Sequence, residues 1–181
     1  CTQHGCPRPL SRASATLVCK RWHRLFHATS SLWRHVDVYE PHDLDVSQRE
    51  AWLAAKLCQL RRVAPAVDRV VVCGAAGMEL MPDVLQCLHP GVLRAVEAGE
   101  YSAPVTESAM RAVQQLTGLT RLSLGMGGSA PANCSWAVRQ LAKLQELTLE
   151  FASFPDDCTA AISGLTGLKE LILLSSQPLP D

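Results

Sequence analysis

Three stretches of this chain can be laid over one another. Leu116, Leu119, Leu122 and Leu124, then Leu141, Leu144, Leu147 and Leu149, then Leu165, Leu168, Leu171 and Leu173 each spell L-x-x-L-x-x-L-x-L, with starts 25 and 24 residues apart. Within each copy the period changes. The first leucines stand three apart, as on a turn or helix end, and the last pair stands two apart, as in a strand with one buried face. A returning period of this length dictates a stack of like units, each burying its apolar face against its neighbours.

Weaker copies extend the register upstream. Leu93, Val96 and Ala98 match at an offset of 26 residues, Val67, Val70 and Val72 at another 26, and Trp33, Val36 and Val38 at a further 34. Short parallel strands are therefore expected at 35–39, 69–73, 94–98, 121–125, 146–150 and 170–174. Between them the spacing predicts helices. One opens at a capping box formed by Ser47 and Glu50 and runs through Leu53, Leu57 and Leu60 to about Val63. Others are expected at 78–88, 105–116, 134–143 and 157–163, with Pro82, Thr106, Asn133 and Asp157 near their starts.

The motif and its period resemble leucine-rich repeats. That resemblance implies an α/β chain wound as a right-handed, ribonuclease-inhibitor-like horseshoe of about five to six units over 37–181, with the array continuing beyond Asp181. The family places Asn or Cys three positions after the last strand leucine, whereas this chain has Ala75, Gly127, Ala152 and Ser176, so the turns must be satisfied by other groups. The repeat leucines are core. Partner contact falls to the alternate strand positions on the concave side, Asp37, Val71, Glu97, Arg121, Ser123, Glu146, Thr148, Glu150, Glu170 and Ile172.

The first 36 residues differ from the rest. Arg8, Arg12, Lys20, Arg21, Arg24 and Arg34 stand there without an acid, and Asp37, Glu40, Asp43, Asp45 and Glu50 follow against Arg49 alone. Leu10, Leu17, Val18, Trp22 and Leu25 fall on one side of a helix, with Ser11 as its N-cap. The run Leu17-Val18-Cys19-Lys20-Arg21-Trp22-His23-Arg24-Leu25, with Leu32-Trp33-Arg34-His35-Val36 downstream, resembles the C-terminal half of an F-box. Residues 1–36 would then be a short all-helical partial F-box, lacking the opening Leu-Pro and first helix ahead of Pro9. The resemblance implies a substrate-recognition subunit of an SCF-type ubiquitin ligase. Its F-box would dock on a Skp-type adaptor and the cullin complex, and its repeats would hold an unidentified protein substrate. Leu17, Val18, Trp22, Leu32 and Trp33 are the apolar candidates for the adaptor contact, with Trp22 and Trp33 also suited to the core. The alternative is a leucine-rich-repeat scaffold for signalling or the cytoskeleton, without a ubiquitin role.

Other function classes find little support. No H-E-x-x-H, G-x-S-x-G or Walker-type loop occurs, and Gly125 to Gly128 reads as a repeat turn, so no enzyme and no cofactor are expected. The eight cysteines include no C-x-x-C pair. Cys1, His4 and Cys6 lack a fourth ligand, and His23 and His27, one helical turn apart, have no third, so no metal is expected. A net charge of zero gives no reason to expect nucleic acid or an anionic membrane, although the basic head leaves nucleic acid as a rival that a salt titration would expose. No segment approaches the ~18 apolar residues of a membrane helix and no secretory leader opens the chain, so cytoplasm or nucleus is expected, or association with the cytoskeleton under the scaffold reading. Cys1 in place of Met, and an uncapped last strand, point to a fragment that frays at its C-terminal repeat.

Overall fold

A strand whose alternate residues are apolar must cover one face, and six such strands in this chain cover the same one. The computed structural model describes residues 29–39, 41, 44–73, 75–99, 104–125 and 128–175. The strands are β1 (His35–Tyr39), β2 (Arg69–Cys73), β3 (Ala95–Gly99), β4 (Arg121–Gly125), β5 (Glu146–Phe151) and β6 (Glu170–Ser175). They form one parallel sheet in chain order, β1 to β6. Helices α1 (Val46–Val63), α2 (Ala75–Cys87), α3 (Glu107–Gln114), α4 (Cys134–Arg139) and α5 (Cys158–Ser163) alternate with them, and a 3-10 turn, Ser30–Trp33, leads into β1. No helix of the described residues is long and apolar enough to cross a membrane.

The register aligns the repeat copies. Val36, Val70, Val96, Leu122, Leu147 and Leu171 lie side by side across the sheet, as do Val38, Val72, Ala98, Leu124, Leu149 and Leu173. From β1 to β5 every one of these is buried. The L-x-x-L spacing is a turn. Leu119, Leu144 and Leu168 donate their N–H groups to the carbonyls of Leu116, Leu141 and Leu165 at 2.9, 3.0 and 3.1 Å. Both leucines of the first two copies thereby reach the core.

A second repeating device joins the units through the backbone. The carbonyl of Arg34 accepts from the N–H groups of both Asp68 and Arg69, and the same fork recurs from Asp68 to Arg94 and Ala95, from Arg94 to Thr120 and Arg121, from Thr120 to Gln145 and Glu146, and from Gln145 to Lys169 and Glu170. The peptide groups that enter each strand are thus satisfied by the preceding unit.

The helices depart from expectation at their ends. Asp45, not Ser47, opens α1. Its Oδ1 accepts from the Gln48 N–H at 2.8 Å while Gln48 Oε1 accepts from the Asp45 N–H at 3.2 Å, and Ser47 Oγ donates to the same carboxylate at 2.7 Å. The carboxylate two residues earlier wins the cap because it satisfies more donors. Pro82 stands inside α2 rather than near its start. Thr106 caps α3 as expected, its Oγ1 accepting from the Ala109 N–H at 3.1 Å. Helix α4 stops at Arg139, short of the expected 143, because the turn that delivers Leu141 and Leu144 to the core begins there. Asn133 makes no cap bond; its Nδ2 donates to the Glu107 carbonyl one unit back, at 3.0 Å. In the turns after β4 and β5, where the family's Asn or Cys is missing, Ala152 N–H donates to the Gly128 carbonyl, Ala130 N–H to the Ser153 carbonyl, and Ser153 Oγ to Ser129 Oγ. Gly127 and Ser176 lie outside the described residues.

Candidate partner-binding face of the sheet

The helices cover one face of the sheet, leaving strand positions one, three and five on the other. Position one carries His35, Arg69, Ala95, Arg121, Glu146 and Glu170; position three carries Asp37, Val71, Glu97, Ser123, Thr148 and Ile172; position five carries Tyr39, Cys73, Gly99, Gly125, Glu150 and Leu174. All ten residues expected on the partner-facing side from the alternation of the strands stand on this outer face. The same alternation also reaches Arg69, Gly99 and Gly125, which sequence reasoning passed over although they stand two residues from Val71, Glu97 and Ser123.

Charge on this face is arranged in pairs between strands. Arg69 meets Glu97 at 2.7 Å and Arg121 meets Glu146 at 2.6 Å, while within β1 His35 Nε2 lies 2.8 Å from Asp37. The hydrogen bond from Arg121 holds the Glu146 carboxyl below the usual carboxylate range, and the reciprocal bond raises the Arg121 guanidinium. Most of these groups are half-buried at the open surface of the sheet, so each pair contributes modest stability and mainly fixes where charge stands. Glu150 and Glu170 have no ion-pair partner among the described residues. With both arginines engaged, the face is left acidic toward β5 and β6.

Between Glu97 and Glu150 the face is indented. Gly99 and Gly125 are register partners at the ends of β3 and β4, and a cleft of about 220 Å³ opens over them, bordered by Cys73, Ser123 and Thr148.

Burial pushes the Cys134 thiol up to about 12 and also raises Cys158, leaving both protonated near neutrality. Among the described residues no group of three or more His, Cys, Asp and Glu side chains is placed to hold a metal ion.

Of the adaptor candidates, Trp33 is 3% exposed and packs in the core of the first unit with Leu32, which is half-buried, against it. Leu17, Val18 and Trp22 lie outside the described residues, as do Cys1, His4, Cys6, His23 and His27.

Compared with known families, residues 7–39 match the F-box-like family, and no leucine-rich-repeat family is detected. The match ends on Tyr39, the last residue of β1. No curated protein and no solved structure matches the chain.

Proposed function

We propose that this chain is a non-catalytic substrate-recognition subunit of an SCF-type ubiquitin ligase. F-box-like domains bind Skp-type adaptors, and the segment of that type here would dock on the adaptor and its cullin complex while the outer face of the sheet holds the protein to be ubiquitinated. Such a subunit acts by proximity, raising the effective concentration of its target near the conjugating enzyme.

The observation that carries this reading is the overlap of the F-box-like segment with the sheet. Trp33, Val36 and Val38 belong both to the matched segment and to the buried core of the first unit. The matched segment and the sheet thus share side chains at Trp33, Val36 and Val38, which suits a subunit that must present a target at a set distance. The unit length, the parallel order and the single helix-covered face further support a leucine-rich-repeat horseshoe of right-handed units. The free thiols at Cys58, Cys73, Cys87, Cys134 and Cys158 suit a reducing compartment, cytoplasm or nucleus.

The test is a pull-down of a Skp-type adaptor with the chain extended by a Leu-Pro first helix ahead of Pro9, and with the same protein carrying Leu17→Asp and Val18→Asp. The expected result is capture by the former and loss in the latter. Failure of the extended chain to capture the adaptor would overturn the ubiquitin-ligase role and leave a repeat scaffold.

A further inference from the structure

The glycines under the outer cleft are not alike. A Cβ on Gly99 would lie 2.6 Å from the carbonyl oxygen of Gly125, so close approach of the two backbones excludes any side chain there. A Cβ on Gly125 would meet only the Cβ and Oε2 of Glu150, both at 3.5 Å, an ordinary contact, and its backbone is not in the left-handed region. Neither space nor conformation demands glycine at 125, although glycine in a strand weakens it and β-branched residues favour it. What the missing side chain provides is the cleft itself. Its volume, about 220 Å³, falls below the ~300–1,000 Å³ of a small-molecule site and suits one side chain of a docked segment.

The chemistry around the opening is that of a cation seat. Glu150 stands over Gly125 with no ion-pair partner among the described residues, and the hydroxyl-bearing Ser123 and Thr148 border the same cleft. Glu97 closes the other side, already paired with Arg69. A carboxylate with two hydroxyl acceptors matches the three donors of an ammonium group. An anion would face Glu150 and Glu97 together.

We propose that the cleft over Gly99 and Gly125 seats a lysine side chain of an extended, basic segment of the partner protein. The proposal deepens the reading of the outer face as the target-binding surface and rests on it; it does not depend on adaptor docking, and its assay contains no adaptor.

The assay is fluorescence anisotropy of the full chain with a fluorescein-labelled decapeptide of alternating lysine and serine, against the same peptide with glutamate for lysine. The lysine peptide should bind at least about tenfold more tightly than the glutamate peptide, the scale of one charge-assisted hydrogen bond. Glu150→Gln, which keeps the shape, and Gly125→Val, which fills the cleft and keeps every charge, should each weaken binding by about fivefold or more. Asp83→Asn, an equal loss of charge on the helix side, should leave it unchanged. Unchanged binding by a folded Gly125→Val, or equal weakening by Asp83→Asn and Glu150→Gln, would overturn the seat; should Gly125→Val not fold, Glu150→Gln against Asp83→Asn decides alone. Loss of this selectivity with adaptor capture intact would sink the seat and spare the ligase reading.

Discussion

The unit around β2 and the unit around β6 invert the expected relation between motif and burial. The β2 unit spells the repeat poorly, with Val67, Val70 and Val72 where the motif has leucine, yet all three are fully buried. The β6 unit spells it perfectly, yet Leu171 is 44% exposed and Leu173 only partly covered. The outward Ile172 and Leu174 of the same strand are 39% and 50% exposed. The difference lies in the neighbours. Strand β2 is paired on both sides, whereas among the described residues β6 pairs only with β5. In a stacked sheet the motif confers the capacity to be buried and the next unit provides the burial, so stability is a property of interfaces between units.

The largest test of that contrast is a pair of equal truncations. Leu147→Ala, at a residue 1% exposed, should cost about 3 kcal/mol through lost burial and the cavity left behind, whereas Leu171→Ala, its register partner, should cost about 1 kcal/mol or less. Denaturant melts of the two variants check it, and equal losses would mean that β6 is as well covered as β5.

A smaller effect sharpens the same contrast from the side of charge. The Asp45 carboxyl is held below its usual value of 3.8, first by the Gln48 N–H and then by Ser47, and Glu146 below 4.5, first by Arg121. Both are lower in the folded chain, so the unfolded chain binds more protons in this window and stability must rise with pH across it. The contribution is complete above the unfolded values and is lost as pH falls through the folded ones. Asp45→Asn, which preserves a capping oxygen, and Glu146→Gln should therefore each flatten the acid limb of a melting-temperature profile below about pH 4.5. A parallel profile would show that these bonds are not held in solution.

The strands were legible because alternation of period two fixes both the face and the register, and five of their starts, such as His35 and Arg121, stand where the alternation predicted; β3 begins at Ala95, one residue late. Helix ends were less so. Ser47 and Asp45 are both good caps, and only the folded backbone shows which carboxylate or hydroxyl reaches the free N–H groups. The end of α4 was hidden because Leu141 serves both a helical period and the turn that follows. The outer-face residues could be placed by alternation, but the pairing of Arg69 with Glu97, 28 positions apart, needs the register between strands. Burial of the third leucine motif was not legible at all, since nothing within 165–173 distinguishes a covered strand from an uncovered one.

Native-state hydrogen exchange of the full chain reads the dependence of each unit on its neighbour most directly. The amides of β4 and β5 should exchange slowest and those of β6, from Glu170 to Ser175, at least about tenfold faster, because opening β6 breaks one interface where opening β4 breaks two. Uniformly high protection from β4 through β6 would contradict the account, since it would mean that the β6 unit is held closed with no second neighbour among the described residues.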